Sequence, residues 1–173
     1  MMTTLTSMIN QRMRGVLLSF LLATAMLPAI GEEQKTLGAN DQPIHDVARL
    51  GKAKDIEKIL KATPEARDAK TGMGSQPVHL AASNPDPGAL KALLAAGADP
   101  NAKDAEGVTP LHMAVYVLST KNTQVLLDAG ADPKAKTNAG RDVLSMARKM
   151  MANEAAGVIS LWILKGCQPK KPC

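Results

Sequence analysis

Aromatic side chains make up 2% of this 173-residue chain, which holds one Trp, one Tyr and one Phe. A core without them must be built from Ala, Leu, Val, Ile and Met, which suits closely stacked helices better than a β-sandwich, whose strands favour aromatic and β-branched residues. Cysteine is equally scarce, with Cys167 and Cys173 alone, and no histidine stands near them to complete a zinc site. Clustered positive charge is missing as well. The net charge is +5, but the basic residues are scattered, with Lys170 and Lys171 adjacent near the end. That argues against the basic face needed for phosphate-backbone contacts, so no nucleic acid partner is expected. The chain also lacks a nucleophile elbow, a phosphate-cradling glycine loop and a paired His with Cys or Ser and a third orienting group. No catalytic residue, metal site or cofactor is therefore expected. What is present, 45% hydrophobic and 21% charged residues at a one-domain length, describes a folded globular chain.

Acidic residues are absent before Glu32. Arg12 and Arg14 precede an apolar run from Val16 to Leu27, and small residues follow at Ala29 and Gly31. Charge, apolar run and small residues in that order are the layout of a secretory signal peptide. The run falls short of the ~20 residues a membrane helix needs, and Pro28 interrupts it. Residues 1–31 are thus expected to be a cleaved signal segment, cut after Gly31 or, as the second choice, after Ala25; a short membrane anchor is the alternative. The stretch before the apolar run is long for such a segment, which makes Met8 and Met13 alternative starts. No stable membrane span is expected after cleavage. Removing Arg12 and Arg14 leaves 19 basic and 16 acidic residues, a charge of +3. An oxidising compartment permits a small disulfide loop between Cys167 and Cys173; free thiols are the other reading.

Self-similarity settles the architecture of the rest. Gln76-Pro77-Val78-His79-Leu80-Ala81-Ala82 returns 33 residues later as Thr109-Pro110-Leu111-His112-Met113-Ala114-Val115, and stands 34 residues earlier as Gln42-Pro43-Ile44-His45-Asp46-Val47-Ala48. A second signature follows in phase: Leu93-Leu94-Ala95-Ala96-Gly97-Ala98-Asp99-Pro100-Asn101 returns as Leu126-Leu127-Asp128-Ala129-Gly130-Ala131-Asp132-Pro133-Lys134. Thr109 and Asp86 are placed to cap helices whose first residue is proline, where a missing N–H costs nothing. Leu90, Leu93 and Leu94 fall on one helical face, and Gly97 and Gly130 stand where a left-handed residue ends a helix.

These two signatures resemble the ankyrin repeat, with its T-P-L-H turn and its L-L-x-x-G-A-D-x-N ending. The resemblance implies an all-α solenoid of about four helix-turn-helix repeats joined by short hairpin-like turns. The repeats are expected at about 41–71, 72–104, 105–137 and 138–169, after a linker over 32–40 and before a tail at 170–173. The outer repeats are degenerate, as caps should be. Repeat one lacks the Gly-Ala-Asp ending, and repeat four puts Asp142, Val143 and Ser145 where Thr, Pro and His belong, with about three extra residues expected around Met151 to Asn153. In this family the turn histidine bonds locally to turn and backbone, so His45, His79 and His112 read as structural rather than as metal ligands. Trp162 aligns with Leu126 and reads as packing.

Ankyrin proteins bind partners through the turn tips and the exposed side of each inner helix, a concave face. Carried over by alignment, the binding positions are Met73, Ser75, Ser83 and Asn84 in repeat two, Glu106, Val108, Tyr116 and Val117 in repeat three, and Asn138, Arg141, Lys149 and Met150 in repeat four. Tyr116 beside Val117 has the composition of an interface hot spot; packing on the neighbouring repeats is the plainer reading. Met150, with Met146 and Met151 near it, adds adaptable apolar surface. Arg141 and Lys149 suit an acidic partner or a merely solvated face. The expected function is a non-catalytic module in a bacterial periplasm that binds an unidentified partner protein. Small exported bacterial ankyrin proteins include members linked to catalase function and peroxide resistance, which implies an accessory role of that kind. An immunity-type inhibitor of a toxin delivered to the periplasm is the alternative.

Overall fold

Prolines open four helices of this chain, at Pro43, Pro77, Pro87 and Pro110, because the first helical residue needs no backbone N–H. The computed structural model describes residues 40–169; the expected signal segment, nearly all of the linker and the tail at 170–173 lie outside the described residues. Eight helices follow: α1 (Pro43–Leu50), α2 (Ala53–Ala62), α3 (Pro77–Ala82), α4 (Pro87–Ala95), α5 (Pro110–Tyr116), α6 (Thr120–Asp128), α7 (Val143–Lys149) and α8 (Asn153–Leu164). Among the described residues no strand occurs; the isolated bridge residues are Lys136 and Asp142, paired antiparallel, and Gln168. No described helix is long and apolar enough to cross a membrane.

The helices form two rows. Helices α1, α3, α5 and α7 pack on one another as an inner row, and α2, α4, α6 and α8 as an outer row. Alanines make the inner row close: Ala48, Ala81, Ala82, Ala114 and Ala147 are wholly buried. Between the rows lie Ile44, Ile56, Val78, Leu90, Leu93, Leu111, Leu126, Leu127 and Ile159, none more than 1% exposed. Burying each such side chain stabilises the stack by roughly 1.5–3 kcal/mol. The scarcity of aromatics thus has a structural meaning, because bulky rings would hold the rows apart. The lone Trp162 is buried about one helical turn past Ile159, which holds the place of Leu126 one repeat earlier.

The histidines fasten the helix starts, His79 and His112 to the tip of the next repeat and His45 to the end of its own. Backbone N–H groups of Gln42, Gln76 and Thr109 donate to Nδ1 of His45, His79 and His112, at 2.8, 3.1 and 3.2 Å. A peptide N–H can only donate, so Nδ1 is the acceptor and the proton of each neutral ring sits on Nε2. Nε2 then donates to the carbonyls of Ala69, Val108 and Arg141, at 3.1, 3.1 and 3.3 Å. Repeat four has no such ring. There Asp142 caps α7, accepting from the Ser145 N–H at 2.7 Å and from its hydroxyl at 2.9 Å, and these bonds pull the Asp142 carboxyl below its ordinary range.

One expectation is corrected. The extra residues of repeat four do not lie around Met151 to Asn153: α8 starts 33 residues after α6, in register, and the excess lies within α8, which has 12 residues against 9. Three residues are close to one helical turn, so the insertion returns Trp162 to the buried face. In repeat one, the missing Gly-Ala-Asp ending is replaced by a 3₁₀ turn, Pro64–Asp68, that buries Ala66.

Candidate protein-binding face

The turn tips are hairpin-like and joined edge to edge. Asp104 N–H donates to Val108 O at 3.1 Å and Thr137 N–H to Arg141 O at 3.0 Å, closing each tip. Ala105 N–H donates to Met73 O and Asn138 N–H to Glu106 O, linking one tip to the next at 3.1 and 2.9 Å. The approach is close enough to require glycine: at Gly107, with φ +73°, a Cβ would stand 2.9 Å from the Asn138 backbone nitrogen.

Between repeats three and four the inner row and its tips enclose a groove of about 370 Å³. One wall is Glu106, Val108, Met113 and Tyr116; the other is Arg141, Ser145, Met146, Lys149 and Met150; His112 and Thr137 line it as well. Six of the twelve binding positions named from the sequence, Glu106, Val108, Tyr116, Arg141, Lys149 and Met150, therefore share this one groove. Glu106 and Arg141 stand at the turn-tip end, Tyr116 and Lys149 at the end where α5 and α7 finish. Among the described residues neither Arg141 nor Lys149 forms an ion pair with a carboxylate.

The other six positions lie elsewhere. Met73 is exposed and Ser75 half-buried at the tip of repeat two, beside Leu80 and Arg49 in a separate hollow. Ser83 ends α3 with its hydroxyl donating to Leu80 O at 2.7 Å. Asn138 is exposed, but its amide donates to Ala105 O at 3.0 Å and serves the tip ladder. Val117 terminates α5, outside the groove. Asn84 is a correction. It is 3% exposed, and its amide donates to the carbonyls of Ala48 and Gly51 at 3.1 and 3.0 Å while its oxygen accepts from Asp86 N–H at 2.9 Å. It satisfies the open end of α1 and presents nothing to a partner. Asn122 does the same one repeat later, donating to Ala82 O and Asn84 O at 2.9 and 2.7 Å, a role sequence reasoning did not assign.

Sequence reasoning also left Met113 and Ser145 out of the site. The signal for Met113 was available: it and Met146 hold the same place in His112-Met113-Ala114 and Ser145-Met146-Ala147, one repeat apart. Burial pushes the pKa values of His79 and His112 below the ordinary imidazole value of 6.5, so His112 enters the groove as a neutral ring. A larger hollow of about 540 Å³ is lined by residues 42–66 of repeat one alone, on the open end of the stack rather than its concave side. No cluster of three or more His, Cys, Asp or Glu occurs among the described residues. Cys167 packs against the end of the core, and Cys173 lies outside the described residues.

Residues 44–137, more than half of the chain, match the family model for ankyrin repeats in three copies, and the chain belongs to the ankyrin-repeat family. Beyond the match, α7 and α8 stack as a fourth helix pair. Ankyrin repeats generally mediate protein–protein interaction and are typically non-catalytic. No curated protein matches the chain.

Proposed function

We propose that this chain is an exported, non-catalytic adaptor of a bacterial periplasm that holds a partner protein in the groove between repeats three and four, with the enzymes of peroxide defence as the first partners to test. The convergence of Glu106, Val108, Met113, Tyr116, Arg141, Met146, Lys149 and Met150 on one side of the stack carries this reading. The groove is apolar at its centre, charged at its ends and edged by an exposed tyrosine, which is the make-up of a binding hot spot. Methionine thioethers let it adapt to the side chain that enters. The charge and apolar layout of residues 12–31 supports export. Export in turn supports a Cys167–Cys173 disulfide, which thiol titration before and after reduction would test.

The experiment is affinity capture from a native envelope extract by residues 32–173, beside a Tyr116→Ala, Glu106→Arg variant of unchanged helicity. A partner held by the wild type and released by the variant supports the reading and names the pathway. A captured toxin would turn the role into that of an immunity protein, and equal capture by both would move the bound surface elsewhere.

A further inference from the structure

The apolar lining does not stop where the groove does. Past Tyr116 the chain turns through Val117 and Leu118 into Ser119, which caps α6; past Lys149 it turns through Met150 and Met151 towards α8. Leu118 and Met151 hold the same place in successive repeats, and both have positive φ, +59° and +56°. A residue with a Cβ is strained in that region, and glycine is the usual occupant. Here the strain brings no burial in return: Leu118 is 56% exposed and Met151 78%. Together they line a second hollow of about 310 Å³ with Thr120 and residues 152–155.

With Tyr116, Val117 and Met150 they form a strip that leaves the concave groove and crosses onto the rim of the stack. Five of the nine large exposed apolar side chains among the described residues lie on it. Exposed apolar surface gathered in one place marks an interaction site. Strained backbone that holds such side chains in solvent points the same way.

We propose that one extended segment of the partner lies along this strip and carries a carboxylate flanked by aliphatic side chains. The assignment deepens the groove reading and rests on it. Its chemistry follows from charge: the groove offers two cations, Arg141 and Lys149, against one carboxylate, Glu106, while the rim's carboxylate, Glu154, lies beyond Met151 and accepts from the Thr120 hydroxyl at 3.2 Å. Lys149 stands where the groove opens onto the rim, so the partner's carboxylate belongs there. An aliphatic side chain before it fills the space between Met113 and Met146, and one after it covers Leu118 and Met151.

The test uses the purified chain and two labelled model peptides with the same leucine spacing, one with glutamates between the leucines and one with lysines. Binding is read by fluorescence anisotropy. The wild type is expected to prefer the glutamate peptide by about tenfold or more. A Leu118→Gly, Met151→Gly variant is expected to bind it about tenfold more weakly, while its Tm does not fall, since glycine relieves the left-handed strain. Lys149→Glu is expected to reverse the preference between the peptides. If the glycine variant binds like the wild type while Tyr116→Ala loses binding, the rim assignment is overturned and the groove reading survives. If Tyr116→Ala binds like the wild type as well, both fail. Preference for the lysine peptide, or no binding of either, overturns the acidic–aliphatic assignment. Sedimentation with anionic vesicles that the glycine variant abolishes, without peptide discrimination, would give the strip to a membrane instead.

Discussion

The two halves of the concave face share a backbone and use it in opposite ways. Where repeat two has Leu80, Ser83, Asn84 and Pro85, repeat three has Met113, Tyr116, Val117 and Leu118, and repeat four has Met146, Lys149, Met150 and Met151. In the first half these positions are turned inward: Leu80 is buried, Ser83 bonds its own helix and Asn84 bonds the end of α1. In the second half they face the groove and rim. Alignment assigns Ser83 and Asn84, Tyr116 and Val117, and Lys149 and Met150 the same role, and hydrogen bonding separates them. A short polar side chain can reach a neighbouring carbonyl and is spent on the stack, whereas Tyr or Met at the same place has no such use and stays available.

That contrast can be broken from either side. The largest effect is expected from Asn84→Ala, which leaves the carbonyls of Ala48 and Gly51 without their donor in a buried position. Thermal unfolding followed by circular dichroism should show a loss of about 2–3 kcal/mol, and an unchanged Tm would mean that water replaces the amide. The second effect depends on pH. Burial depresses the pKa values of His79 and His112, so the unfolded chain takes up protons on these rings before the folded chain does. Their contribution is complete above the ordinary value of 6.5 and is lost as pH falls through it towards the lower folded values. Hydrogen exchange should show protection falling with pH in repeats two and three before repeat four, which has no histidine. Uniform loss across all repeats would place the sensitivity elsewhere. A smaller effect, about 1 kcal/mol, is expected from Asp142→Ala, which removes the cap of α7. Smallest is Tyr116→Ala, whose exposed ring should cost no more than about 0.5 kcal/mol of stability. If Tyr116→Ala destabilised the fold as much as Asn84→Ala, the division between the halves would be wrong.

The repeat was legible because two signatures recur in phase, and each signature is physics: a proline where a helix can accept one, a histidine that bonds the helix start to a carbonyl further along the chain, a glycine where the chain turns left-handed. The groove was half legible. Alignment marks positions, and Glu106, Val108, Tyr116, Arg141, Lys149 and Met150 meet because equivalent residues of adjacent repeats stand side by side. It failed at Asn84, since nothing in the local sequence tells that its amide reaches carbonyls some 36 residues earlier. It also misplaced the insertion of repeat four, because a helix lengthened by a turn and a lengthened loop look alike until the buried face is known. Leu118 and Met151 were hidden for a related reason: a left-handed residue is inferred from glycine, and here the glycine is absent.

The histidine bridges carry one more consequence. The rings of His79 and His112 each fasten the start of their own inner helix to the tip of the following repeat, so opening repeat two or three means releasing its neighbour as well. The last helix pair has no onward bridge, and as the end of a one-dimensional array it unzips at least cost. One wall of the groove, from Arg141 to Met150, belongs to that loose end. A segment seated in the groove therefore acts as a clasp, and occupancy should register as slowed fraying of α7 and α8 while the first two repeats exchange as before.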